Sequence, residues 1–267
     1  MSEHEDETPA FWLTKTKEEL ADVAAALHRD RRKVTESSGY NEVMVVRQTI
    51  GAIFLTGNGL EVGAGNRPWP IPPHAKCYYG DLIDEGGLKK YFKDCDPSYA
   101  VHFDGFVDAQ TFKGIPSASF DFVISAHVIE HLADPIGTIR EAIRVLSPGG
   151  VHLLAVPDMR MTHDRNRSPT TVEHLLSDEL DGGIGTRRQA YEEHCRYVHT
   201  IYHPPIPEAQ FERDVERIDK NNMDIHWHAW TGEGFRMLLD AIAHRHGFQI
   251  IANVSVQNEN IFVLRKR

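Results

Sequence analysis

The chain has 267 residues, 41% of them hydrophobic, and a formal net charge of -10 with a pI near 5.9. That is enough apolar material for one large domain, or one domain with an insertion, while no apolar run approaches the ~18 residues a membrane span needs. The acidic balance disfavours nucleic acid as the main partner, because neutralising phosphates takes a basic face.

Taken in order, the chain opens with an acidic segment, Met1 to Glu7, which lacks the basic and apolar regions of a signal peptide. The first ten or so residues read as disordered. A helical pattern begins at Thr16, with Leu20, Val23, Ala24 and Leu27 on one face, and a second apolar-rich helix covers Glu42 to Phe54. Residues 1–56 therefore read as an N-terminal helical segment or lid. Leu60 and Val62 form a short buried strand, and Gly63-Ala64-Gly65 the tight turn at its carboxyl end, where a bare main chain lets a ligand come close. Glu61 is the odd member, a carboxylate in an apolar strand, either functional or capping a nearby backbone. Pro68 and Pro70 forbid the regular helix that usually follows such a turn.

Ala75 to Asp81 reads as a second strand ending in an acid, where a nucleoside-binding unit places the carboxylate that accepts from ribose hydroxyls. The plainer reading of Asp81 is a cap for the helix starting near Glu85. Tyr99 to Phe103 reads as a third strand, and Phe120 to Ser125 as a nearly continuous apolar strand from the middle of a parallel sheet. A helix from Pro135 to Leu146 turns Ile136, Ile139, Ile143 and Leu146 inward, with proline at its start, and Val151 to Val156 is a further buried strand. The chain closes with a helix over Phe235 to His246 and a hairpin of Phe248 to Val254 with Asn260 to Leu264. This alternation defines an α/β fold, a doubly wound and mostly parallel sheet ending in an antiparallel hairpin strand. Between residues 159 and 230 the alternation breaks into a His- and Arg-rich insertion above the strand ends, where specificity usually resides. Cys77, Cys95 and Cys195 lie far apart with no Cys-x-x-Cys pair, which fits reduced thiols in a cytoplasmic protein.

The stretch from Gly57 to Asp158, with the closing hairpin, resembles the class I S-adenosylmethionine-dependent methyltransferases. The resemblance rests on Leu-Glu-Val-Gly-Ala-Gly, Asp81, Asp108-Ala109, Ser-Phe-Asp-Phe-Val-Ile-Ser, Val-Ile-Glu-His-Leu and Arg-Val-Leu-Ser-Pro-Gly-Gly, in that order. It implies a Rossmann-like seven-stranded sheet over residues 57–267 and S-adenosyl-L-methionine as cofactor. It implies that Glu61, Gly63, Ala64 and Gly65 border the amino-acid end and ribose of that cofactor. Asp81, with Leu82, would hold the ribose hydroxyls; Asp108 and Ala109 would meet the adenine, and Ser125 would line the cleft near the sulfonium. The stretch from Pro157 to Leu176, with Ile225-His-Trp-His-Ala-Trp, is also similar to bacterial methyltransferases found beside glycosyltransferases in surface-polysaccharide pathways. That implies a small or saccharide-linked acceptor methylated on oxygen.

Methyl transfer from a sulfonium is an in-line displacement, and a hydroxyl acceptor benefits from a nearby base, for which histidine suits neutral pH. His127, His131 and His163 are the candidates; His131 also reads as a plain backbone partner at the strand-to-helix junction. His127, Glu130 and His131 match the spacing of a ligand cluster, as in the ubiquinone-type O-methyltransferases, so a divalent cation is a secondary reading. In an extended segment His226 and His228 point to one face, reading as an acceptor pocket, with a metal site or a polar surface as alternatives. Arg160, Arg165 and Arg167 would pair with an anionic acceptor such as a sugar phosphate, or else with local carboxylates.

Overall fold

The computed structural model describes residues 42–92 and 102–267. The helical pattern expected from Thr16 and residues 99–101 of the expected third strand lie outside the described residues. Seven strands form one sheet: β1 (Gly57–Val62), β2 (Ala75–Asp81), β3 (Gly105–Phe106), β4 (Phe120–Ala126), β5 (Leu146–Pro157), β6 (Phe248–Val256) and β7 (Glu259–Lys266). Their order is β3-β2-β1-β4-β5-β7-β6. The pairs among β1 to β5 are parallel, and β7 lies antiparallel to both β5 and β6. The strand order reverses between β1 and β4, which is where an open α/β sheet opens a crevice for its ligand. The third strand is two residues long and starts just beyond the expected Tyr99–Phe103.

Side chains alternate between the two faces of each strand, so one sheet serves two cores. Leu60, Val62, Val123, Leu154, Phe262 and Leu264 join one cluster; Phe122, Ile124, Leu153, Ala155, Ile261 and Val263 join the other. Helix α1 (Glu42–Phe54) covers the second face through Ile50. The first face is covered by α3 (Pro135–Val145), which follows the short α2 (Glu85–Tyr91), and by a helix over Gly232–Ile242. Sequence dictates α3 closely. Asp134 caps it by accepting from Gly137 N at 2.7 Å, Pro135 sits in its first turn, and Ile136, Ile139, Ala142 and Ile143 are buried on one stripe. Each fully buried isoleucine contributes roughly 2 kcal/mol.

The loop after the glycine turn replaces a helix with a buried wedge. Trp69 is 1% exposed and packs into the second cluster beside Leu55. A Cβ on Gly51 of α1 would stand 2.9 Å from Pro70 O, so glycine there is what lets helix and loop touch.

The segment 159–230 is more regular than its composition implies. It holds α4 (Val172–Asp181), α5 (Arg187–Glu193), a π turn (His194–Val198), α6 (His199–Tyr202) and α7 (Glu208–Lys220), and α8 is the Gly232–Ile242 helix already described. A small core of its own joins Tyr191, Cys195, Phe211, Val215, Ile218 and Ile225. Among the described residues no helix is long and apolar enough to cross a membrane.

Candidate active site

A cleft of about 600 Å³ opens at the carboxyl ends of β1, β2 and β4. The glycine turn forms its floor. Gly63 and Gly65 adopt φ of +64° and +56°, a region that suits glycine. A Cβ on Gly63 would stand 2.7 Å from Val128 Cγ2, and one on Gly65 would stand 2.9 Å from Phe92 Cζ. Side chains are excluded at both positions, and main chain faces the cleft. Ala64 lines it too.

Asp81, the last residue of β2, lines the cleft, and its Oδ1 accepts from Ile83 N at 3.1 Å. Burial holds its carboxyl above the usual range, against the pull of the Ile83 and Leu82 amides. Leu82 itself is largely exposed. Asp108 does not contribute to the lining: its oxygens accept from Gln110 N at 2.9 Å and Thr111 Oγ1 at 2.8 Å, which folds its own turn. Ala109 is buried beside it. Ser125 is buried, bonded through Oγ to His152 Nε2 at 2.9 Å. Glu61 is fully buried, and both its oxygens accept from Trp69 N, at 2.9 and 3.0 Å. The carboxylate thus anchors the proline-rich loop, and burial pushes its pKa up to about 8, with the Trp69 amide and Arg47 working against that rise.

His127 stands at the tip of β4 with φ +55°, an uncommon backbone for a residue with a side chain, and lines the cleft. Its Nε2 lies 2.9 Å from Glu259 Oε1, and its Nδ1 lies 3.5 Å from Glu130 Oε1, an ion-pair distance rather than a short hydrogen bond. Burial disfavours the charged ring, but the two carboxylates override it and hold the pKa up to about 9. Glu259 in turn receives both arms of the buried Arg47, at 2.5 and 3.1 Å. Arg47 stacks over Trp69 at 5.2 Å, so the chain Glu130–His127–Glu259–Arg47 joins the strand tip to α1 and the loop. Arg47 and Glu259 escaped the sequence reading. A cation on the apolar stripe of α1, one turn from Val43 and from Ile50, was the available signal.

The insertion closes the other side. Trp227 N donates to Glu130 O at 2.7 Å, pinning the returning segment against the turn after β4. His131 and Asp224 both line the cleft, and His131 Nδ1 lies 2.7 Å from Asp224 Oδ1. His226 stacks edge-on against His131 with ring centres 4.6 Å apart, and His163 follows at 4.4 Å from His226. His228 is drawn away from this group into a buried contact with Asp178 at 2.9 Å, so the two histidines flanking Trp227 serve different networks. Arg160 pairs with Asp158 at 2.6 Å, and Arg167 is buried against Asp164, Glu193 and two main-chain carbonyls. Arg165 is exposed and donates to Thr162 O at 3.4 Å.

A switch-point crevice with a bare glycine turn and an acid ending the second strand defines an α/β domain built to take a nucleoside. S-adenosylmethionine fits these elements: main chain where its amino-acid end needs close approach, Asp81 where ribose hydroxyls would lie, and a cavity of small-molecule size. Family comparison carries this further. The model of a methyltransferase-domain family matches residues 40–200, and the chain belongs to that family, whose methyl donor is S-adenosylmethionine. A 70-residue stretch is 45% identical to a probable S-adenosylmethionine-dependent methyltransferase of Mycolicibacterium smegmatis, covering 25% of this chain and 27% of that protein. Similar solved structures include a possible histamine N-methyltransferase from Thermotoga maritima, with TM-score 0.47, 13% identity, and 91% and 97% of the two chains covered. A SAM-dependent methyltransferase from Aquifex aeolicus has TM-score 0.41 and 10% identity, with 81% and 85% covered.

Proposed function

We propose that the chain transfers a methyl group from S-adenosylmethionine to an oxygen of a small or saccharide-linked acceptor, with residues 159–230 forming the acceptor side. One observation carries this reading. The same cleft is walled by the glycine turn and Asp81 on one side and by His131 and Asp224 on the other. Cofactor and acceptor can therefore meet across a few ångströms, and alignment of nucleophile, methyl carbon and sulfur supplies much of the acceleration.

Each of the three histidines meets different neighbours. Both nitrogens of His127 face carboxylates, and Nδ1 of His131 is engaged by Asp224. His163 makes no hydrogen bond among the described residues; its closest carboxylate, Asp164, is 3.7 Å away, and the ring is partly exposed. Among the described residues His163 keeps both ring nitrogens free of hydrogen bonds, whereas His131 keeps only Nε2, and His163 is the ring we assign the acceptor proton. His127 and His131 then act by positioning.

The test is formation of S-adenosylhomocysteine with a panel of nucleotide sugars and sugar phosphates. Turnover with a hydroxyl acceptor that falls at least a hundredfold in His163→Ala, with cofactor affinity intact, supports the reading. Product methylated on nitrogen, or full turnover in that variant, overturns it.

A further inference from the structure

Among the described residues, three groups of histidines and carboxylates bring their donor atoms within 4.8 Å of one another: Glu130–His131–His226, His163–Asp164–His226 and His174–Asp178–His228. They differ in what already occupies them. In the last, one oxygen of Asp178 meets both His228 at 2.9 Å and His174 at 3.2 Å, while Thr186 Oγ1 donates to the other oxygen at 2.5 Å. That carboxylate is saturated, and the group is explained as packing. In the second, Asp164 is taken by Arg167, Thr162 and His226 Nδ1.

The first group is different. Glu130 is 1% exposed; His127 Nδ1 faces its Oε1 at the ion-pair distance of 3.5 Å, and neither oxygen has a hydrogen-bond partner among the described residues. Buried carboxylates are normally hydrogen-bonded, and one held by a single long ion pair calls for an explanation. Around it, two imidazoles are each gripped through Nδ1 by a second carboxylate: His131 by Asp224 at 2.7 Å and His226 by Asp164 at 2.6 Å. That grip fixes the ring and leaves Nε2 as the nitrogen available to a ligand, the arrangement protein metal sites use behind their coordinating histidines. The backbone reinforces it, since Trp227 N and His228 N both donate to Glu130 O and hold His226 over the carboxylate.

We propose that Glu130, His131 and His226 bind a divalent transition metal of the zinc class. Two imidazoles and one carboxylate are the donor types such ions take, and three protein ligands leave a position open. Because His131 lines the cleft, the open position would face the acceptor. Donors on one zinc stand about 3.4 Å apart, so side-chain rotations of modest size close the present spacing. The ligand set differs from the one the spacing suggests: both nitrogens of His127 are engaged by carboxylates, Nε2 by Glu259 and Nδ1 by Glu130, and His226 comes from 95 residues further on, 131 to 226. The site does not depend on methyl transfer, and its test is separate from that reaction.

The experiment is calorimetric titration of the chelator-stripped full chain with zinc chloride, repeated with manganese. The expected result is one zinc per chain, weakened at least tenfold in Glu130→Gln and in His226→Ala, and unchanged in His174→Ala. Circular dichroism of each variant reports folding; Glu130→Gln keeps the shape of the side chain and decides the matter should His226→Ala unfold. Absence of saturable binding overturns the proposal. So does binding indifferent to Glu130→Gln, or binding lost in His174→Ala. S-adenosylmethionine is titrated into the same stripped sample. Cofactor binding without metal binding sinks only this proposal, and the reverse sinks only the methyltransferase reading of the cleft.

Discussion

Within the sheet, the buried titratable groups Glu61 and His152 have few partners. Burial pushes the Glu61 carboxyl up to about 8 and the His152 imidazole down to about 3, so both are neutral near pH 7. Within the insertion the buried carboxylates are charged, while burial lowers the pKa of the His228 imidazole as it does that of His152. Asp164 is drawn down to about 2 because His226 and Arg167 override its burial, and Asp178 is held well below the carboxylate range by His174 and His228. An apolar sheet neutralises what it cannot pair, whereas the insertion, with its small core, pairs its charges and depends on the pairs.

Breaking the central pair of the insertion should have the largest effect. Arg167→Ala would leave Asp164, Glu193 and the carbonyls of His226 and Trp227 facing an empty buried space. The expected cost is about 3–5 kcal/mol. It should appear as new proteolytic cuts confined to residues 159–230 while the sheet stays protected. An unchanged digestion pattern and melting temperature would mean that the insertion is held by its apolar core instead.

Glu61 tests the other half. Its folded pKa lies above the unfolded value of 4.5, so the folded state holds the proton more tightly. The stabilisation that Glu61 contributes should therefore be full below about pH 4.5, fall as pH rises towards 8, and be gone beyond. The full difference is about 5 kcal/mol for this group. Glu61→Gln, which still accepts from Trp69 N, should remove that slope. Urea unfolding from pH 5 to pH 8.5 measures it, and parallel curves for the two proteins would refute the neutral carboxyl.

A smaller effect is expected at Asp81. Burial raises its carboxyl, so replacing it releases a mildly unfavourable charge and leaves stability nearly unchanged. Cofactor affinity is where the loss should fall. Asp81→Ala should weaken S-adenosylmethionine by about 1.5–3 kcal/mol, roughly ten- to 150-fold, as removal of a charged acceptor does. Calorimetry that gives equal dissociation constants would move the ribose away from the end of β2.

The two regions also differ in what the sequence discloses. The strands over Phe120–Ser125 and Val151–Val156 are nearly continuous apolar runs, interrupted by Asp121 and His152, and Asp134-Pro135 writes the start of α3 directly, so local chemistry settles them. In the insertion, α7 does carry Phe211, Val215 and Ile218 at helical spacing, but among so many charged neighbours the stripe is easily missed. The third strand pairs only two residues, too few for alternation to register in the sequence. Nothing local announces that Arg47 meets Glu259, 212 residues away, or that His226 and His228 part company around Trp227. Such pairs are products of tertiary packing, unlike Arg160–Asp158 and Arg167–Asp164, whose partners lie two and three residues apart in the chain.

Arg165 gives the finest discrimination, because it belongs to the insertion but not to its network. Arg160 is taken by Asp158 and Arg167 by Asp164 and Glu193, whereas among the described residues no carboxylate pairs with Arg165. Its replacement by alanine should change stability by no more than about 0.5 kcal/mol, the range of ordinary surface substitutions. If the acceptor is anionic, the guanidinium is the group of the three still able to meet it bidentately. KM for a sugar-phosphate acceptor should then rise a few-fold, with kcat and the cofactor dissociation constant unchanged. A KM that stays put while Arg160→Ala raises it would assign the anion to the Asp158-bound arginine. A KM indifferent to both would mean that the acceptor carries no charge at that end, which turns the choice of substrate panel towards neutral saccharides.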